Sequence, residues 1–106
     1  QLAKAGLGTL ILLGANSYSG GTLIEGGTLV GGIGSFGTGA ITNNAALVLD
    51  VPTDGVLPNL LAGNGSITKN GAGILTLNGV NTATGPFAVN AGRLRVDGTL
   101  GSLVTV

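Results

Sequence analysis

Two stretches decide the reading: "KAGLGTLILLGANSYSGGTLIEGGTLVG", residues 4–31, and "KNGAGILTLNGVNTATGPFAVNAGRLRV", residues 69–96. They lie 65 positions apart and agree at ten of 28 aligned positions: Lys, six Gly or Asn, and three Leu among them. Within each copy the apolar residues alternate with polar ones. In "ILTLN" Leu75 and Leu77 share one side, while Ile74, Thr76 and Asn78 share the other. A period of two is the signature of a strand. The same parity turns Leu10 and Leu12 inward in the first copy. Thr22 with Ile24, and Phe87 with Val89, form a second inward pair, and Leu29 and Leu94 mark a third short strand. Between the copies, "AALVLD" contributes Leu47 and Leu49, and "GSITK" contributes Ile67.

Turns rich in Gly, Asn, Ser and Thr separate these strands, as in "GANSYSGG", "EGG", "ITNN" and "AGNG". The one stretch that suggests a helix, "GVLPNLLAGNG", carries Pro58 in its middle and reads as a loop with one strand. Asp54-Gly55 and Asp97-Gly98 keep a hairpin meander open, because Asp-Gly favours two-residue turns. A solenoid accounts for more. The repeat divides into three turns of roughly 22 residues, matching positions recur in phase, and small residues occupy the corners. The expectation is an all-β parallel β-helix (β-solenoid) of about five coils, a rod segment of roughly 24 Å at the inter-strand spacing. It forms a single segment over 1–106, with repeats at 4–31 and 69–96 and a linking coil region at 32–68. Neither end shows a cap, so the expectation is a fragment of a longer rod.

Composition agrees. There are 22 Gly, no Cys, no His, no Met and no Trp in 106 residues. Charge is 8%, and aliphatic residues are plentiful, which excludes the disorder signature. No three-residue glycine period indicates collagen. Lys4, Lys69, Arg93 and Arg95 balance Glu25, Asp50, Asp54 and Asp97, and the scattered positives form no basic patch for nucleic acid. No apolar run approaches a membrane-spanning helix of roughly 20 residues.

The first copy closely resembles the autotransporter-associated β-strand repeat. Lys4, Gly6, Gly8, Thr9, Leu10, Leu12, Gly14, Asn16, Tyr18, Gly20, Gly21, Thr22, Ile24, Gly27, Thr28 and Leu29 all match its pattern. The second copy departs at Ile74, Ala83 and Pro86. The resemblance implies a right-handed parallel β-helix in the passenger of a type V secreted protein from a Gram-negative bacterium. It also implies an extracellular, cell-surface location, outer-membrane-anchored in the full-length protein or released. The repeat is associated with passenger secretion and folding, and many such passengers are adhesins.

Candidate chemistry is sparse. Without His or Cys, the common metal clusters and most nucleophile–base pairs are absent. Asp50 and Asp54 are the one close carboxylate pair, suited to Ca²⁺ or sugar hydrolysis, but they read better as a solvated loop. Gly32-Ile33-Gly34-Ser35-Phe36-Gly37 satisfies G-x-G-x-x-G, yet no helix follows, so it reads as a glycine-rich corner. Asn64-Gly65-Ser66 is a glycosylation sequon of low specificity. Asn16 and Asn81 occupy equivalent turns, where asparagine tolerates left-handed backbone and bonds its neighbours in the stack. Tyr18 reads as cover on a turn, and Arg93 and Arg95 as a solvated, edge-protecting strand face.

The expectation is therefore no catalytic, cofactor-binding or metal site, and no cofactor. The core is expected at Leu10, Leu12, Ile24, Leu29, Leu47, Leu49, Ile67, Leu75, Leu77, Val89, Leu94 and Val96. Outward Ile11, Leu13, Leu23 and Val30 make an apolar patch, where the second copy has Thr76, Asn78, Ala88 and Arg95. Such patches commonly mark a contact. The expected function is a non-enzymatic structural stalk that supports folding and secretion and serves adhesion or self-association. The expected partners are adjoining coils, the chain itself laterally or end to end, or a host or cell-surface receptor, with no nucleic acid and no membrane span. A self-assembling extracellular filament subunit is the alternative, and a polysaccharide-active enzyme a more distant one.

Overall fold

The computed structural model describes residues 1–101 and 104–105. Among the described residues the chain forms fifteen short strands and no helix. β1 (Leu2–Lys4) and β2 (Thr9–Ile11) open the chain, followed by β3 (Thr22–Ile24) and β4 (Thr28–Gly31). Then come β5 (Ile41–Asn43), β6 (Ala46–Asp50) and β7 (Gly55–Leu57). The next coil is β8 (Leu61–Ala62), β9 (Ser66–Asn70) and β10 (Ile74–Leu77). The last strands are β11 (Val80–Asn81), β12 (Phe87–Val89), β13 (Arg93–Val96), β14 (Thr99–Leu100) and β15 (Val104–Thr105).

Every strand pairing is parallel, and each pairs with the strand one coil away. The strands stack into three faces. The first runs β1-β3-β5-β8 and is continued by the β11-β14 pair. The second is the six-strand ladder β2-β4-β6-β9-β12-β15, and the third is β7-β10-β13. This is a parallel β-solenoid of about five turns. Inward side chains stack in register, and Leu10, Leu29, Leu47, Ile67 and Phe87 form one column on the second face. Each fully buried aliphatic in such a column contributes roughly 1.5–3 kcal/mol before conformational entropy is counted.

The coil is shorter than the sequence spacing suggests. Leu2 pairs with Thr22, Ala46 with Ser66 and Phe87 with Val104, so coils run 17–20 residues rather than about 22. The 65-residue repeat is therefore three coils and about a third of a fourth, and its two copies do not stack in phase. Thr9–Ile11 lies on the second face, while its counterpart Ile74–Leu77 lies on the third. Thr22–Ile24 lies on the first face, while Phe87–Val89 lies on the second. The repeat describes a strand–corner–strand unit, and a corner can recur on any edge of the prism.

The linking region is itself coil. Residues 41–43, read above as a turn, form β5, and the stretch around Pro58 supplies both β7 and β8. Among the described residues the first two coils have no strand on the third face, unlike the next three. Leu12 N–H donates to Val30, Asn16 N–H to Gly34, and Thr38 N–H to Tyr18, so the loops still stack. Phe36 fills the interior there, fully buried, and a Cβ at Gly31 would come within 2.6 Å of its ring. That contact explains a glycine inside a strand.

Candidate functional site

Two lysines occupy the interior. Lys69 has no exposed surface, and Lys4 is 8% exposed. Lys4 closes β1, and Lys69 lies in β9 between Leu49 and Val89 on an inward column. Lys4 Nζ donates to the carbonyls of Ala5 (2.8 Å), Gly6 (3.0 Å) and, one coil on, Gly26 (3.1 Å). Lys69 Nζ donates to Gly71 and, one coil on, Ala91, both at 2.8 Å. The two cages are the same object built on different corners. Each ammonium takes carbonyls from its own corner and from the corner stacked on it. No carboxylate partners either one; among the described residues the ion pair is Arg95–Asp97, on the surface.

A buried ammonium without hydrogen bonds is very costly, so these carbonyls are what permit the charge inside. A lid in the next coil completes each cage. A Cβ at Gly27 would sit 2.6 Å from Lys4 Nζ, and one at Gly92 would sit 2.6 Å from Lys69 Nζ. Both glycines also have positive φ, +70° and +66°, a conformation that disfavours other residues. In the sequence both lysines stand only as scattered positive charge, with Lys4 also part of the repeat pattern. The signal was nonetheless present: Lys69 shares the parity of inward Ile67, and each lysine is followed 23 positions later by glycine.

Amides make similar stitches. Asn16 Nδ2 donates to Ser35 in the next coil at 2.8 Å. Asn81, buried, joins the two parts of the first face: its Oδ1 accepts from Leu61 N–H and its Nδ2 donates to Thr99. Neither asparagine is left-handed, because every residue with positive φ is a glycine. Asn43 Nδ2 donates to Ser66, and Asn59 Nδ2 donates to Phe36, Gly37 and Gly39. Tyr18 does not point free of its turn; its hydroxyl lies 2.8 Å from Thr22 Oγ1.

Of the residues expected in the core, Ile24, Leu29, Leu47, Leu49, Ile67, Leu75, Leu77 and Val89 are buried. Leu10, Leu12 and Leu94 pack against the core but are only half-buried. Val96 departs from expectation at 39% exposed. It has inward parity opposite Leu77, but β13 ends the third face and no strand covers it among the described residues. Phe36, Ile41, Val51, Leu57, Leu61 and Ala83 are further core residues, hidden from sequence reading in apparent turns and loops.

The outward patch divides. Ile11 is 59% exposed and Leu13 82% exposed, and Ile11 is the ladder neighbour of Val30 on the second face. Leu23 lies on the first face beside Ala3 and Thr42, around a corner from the others. Ile11, Leu13 and Val30 instead join Ile33 in a groove of about 500 Å³. Its lip is the Asp50–Gly55 corner. Asp54 Oδ1 accepts from Ile74 N–H one coil on at 2.8 Å, and the side chain is otherwise exposed. The glycine-rich 32–37 stretch is a turn, with Ser35 Oγ accepting from Gly32 N–H and donating to Gly14, and it leads into β5. Nothing in it presents a helix N-terminus to a phosphate.

The chain is a parallel β-solenoid whose buried amides and lysines stitch successive coils together. The passenger-associated-transport-repeat family model matches residues 2–30 and 67–96, more than half of the sequence, and the chain belongs to that family of autotransporter passenger repeats. The two matched segments are the two corner units with their lysine cages. The chain is also similar to an adhesin, the BmaC autotransporter of Brucella suis biovar 1 (strain 1330), at 44% identity over 131 aligned positions. All of this chain is covered, against 4% of that protein, so the chain spans a small part of its relative's length. No solved structure matches it.

Proposed function

We propose that this passenger segment is a non-enzymatic scaffold on the bacterial surface, which supports folding and secretion of the passenger and holds an adhesive groove away from the cell. One observation carries the reading: both lysines and the buried asparagines are committed to bonds between successive coils, so the polar chemistry of the segment works on itself. The relative's name, an autotransporter adhesin, supports a surface and contact role. The Ile11–Leu13–Val30–Ile33 groove is the contact surface, because exposed aliphatics gathered in a groove mark interaction sites.

The test displays the whole passenger on cells and replaces Ile11 with Thr and Leu13 with Asn. The account expects unchanged display with loss of cell–cell or cell–surface adhesion. Adhesion that is undiminished at equal display contradicts the groove's role. Lys69→Ala in the same system is expected to lower the amount of protease-resistant passenger displayed, and equal yield contradicts the folding role.

A further inference from the structure

The formally neutral chain is electrically polarised. Two of its four cations are sealed in carbonyl cages, which leaves Arg93 and Arg95 as its accessible basic side chains. Both project outward from β13 in the fifth coil. The accessible acids Glu25, Asp50 and Asp54 lie in the second and third coils, and Asp97 is engaged with Arg95. On the third face the two signs share one outward surface. Asp54 meets Ile74 through its N–H, and Ile74 pairs with Arg93, so Asp54, Ile74 and Arg93 form one row. Val56, Thr76 and Arg95 form the next. Acid and base ends are two ladder steps apart, roughly 10 Å. The middle strand presents only uncharged Ile74 and Thr76, and on the acid-end strand Val56 is exposed.

We infer that the third face is a self-complementary docking surface for a second copy of this chain, related by a two-fold axis through β10. That axis sets Asp54 of one copy against Arg93 and Arg95 of the other, and repeats the pairing in reverse, while Asp50 ends β6 on the second face and stays outside the contact. An isologous contact of this kind closes on itself as a dimer. The Arg95–Asp97 pair is no obstacle, because an exposed ion pair is weak and exchanges readily. A face of three short strands is small, so the contact belongs with weak, transient interfaces, and charge supplies its specificity more than its strength. Many passengers on one surface convert such a contact into firm attachment through multivalency.

The inference rests on the contact role proposed above, and the test separates the two. Sedimentation equilibrium is run on the 106-residue chain, with circular dichroism as a check on folding, and cell aggregation on the displayed passenger. The variants are Arg93→Glu/Arg95→Glu and Asp54→Lys. The wild type should dimerise, more weakly as salt rises. Each reversal alone should weaken dimerisation at least tenfold, and an equimolar mixture of the two should restore it. Dimerisation unaffected by either reversal overturns the inference; if Ile11→Thr/Leu13→Asn then abolishes it, the groove reading stands. Loss on reversal without restoration in the mixture also overturns it. Monomers at every concentration, together with no aggregation of displaying cells, overturn both. Where Asp54→Lys unfolds the chain, Asp54→Asn removes the charge while still accepting from Ile74 N–H, and dimerisation undiminished in that variant overturns the inference.

Discussion

The two repeat copies share a corner and differ in where they put it. In the first, the lysine corner joins the first face to the second; in the other, it joins the second to the third. The local geometry survives the change: an inward lysine, carbonyls from two stacked corners, and a glycine lid with positive φ. What changes is enclosure. Lys69 and Leu75 lie mid-stack with coils on both sides, while Lys4 and Leu10 lie in the first coil. The repeat is thus a rule for bending a strand and pinning the bend to the next coil, and it is indifferent to which face follows.

The comparison can be broken at matched positions. Leu75→Ala and Leu10→Ala occupy the same place in the unit, but Leu75 is fully buried and Leu10 half-buried. Thermal or urea unfolding should show a loss of about 3 kcal/mol for the former and about 1 kcal/mol for the latter. Equal losses would mean that the first coil is as enclosed as the fourth. Lys69→Ala removes an ammonium and leaves carbonyls without a donor, so about 2–3 kcal/mol should go, against about 1 kcal/mol for Lys4→Ala, whose carbonyls water can reach. Lys69→Met sharpens this. It retains most of the volume without the charge, and a stability near wild type would show that the lysine specifies register rather than adding stability.

Gly92→Ala sets a Cβ against Lys69 Nζ in a left-handed backbone, with about 1–2 kcal/mol from the backbone alone. In the double variant Gly92→Ala/Lys69→Ala the clash with Nζ should vanish while the backbone term and the contacts with the Gly73 and Gly71 carbonyls remain, and a fully additive double variant would contradict the lid. Asn81→Ala should cost about 2 kcal/mol and Asn16→Ala about 0.5–1 kcal/mol, because Asn81 is buried and bonds both neighbouring coils. Smallest of all, Arg95→Ala should change stability by less than about 0.5 kcal/mol, its ion pair with Asp97 being exposed.

Alternation made the strands legible. Leu75 and Leu77, or Leu47 and Leu49, declare their face in five residues, and both pairs are buried. The coil length was not legible, because a 65-residue repeat fixes only a multiple of the face spacing, and a three-sided prism permits a third of a turn. Lysine in an inward position was passed over because charge ordinarily marks the exterior. Phe36 escaped because the strand parity around it is interrupted by glycines. Leu23 was grouped with Val30 on parity alone, although a corner at residues 25–27 turns the chain between them. The groove depended on that three-dimensional bend, which no residue in isolation announces.

The most direct test of the rotated repeat is disulfide formation between engineered pairs, since the chain has no cysteine of its own. Thr68 and Ala88 are outward ladder partners on the second face, 20 residues apart. Adjacent parallel strands bring such Cα atoms to about 4.8 Å, within disulfide range, whereas Thr68 and Asn90 would lie about 8 Å apart, beyond it. Oxidation of Thr68→Cys/Ala88→Cys in native buffer should give rapid, near-complete cross-linking, and Thr68→Cys/Asn90→Cys should stay reduced. Cross-linking of Thr68→Cys/Asn90→Cys in place of the first pair would restore a 22-residue coil with the two repeats in phase, and would contradict the account.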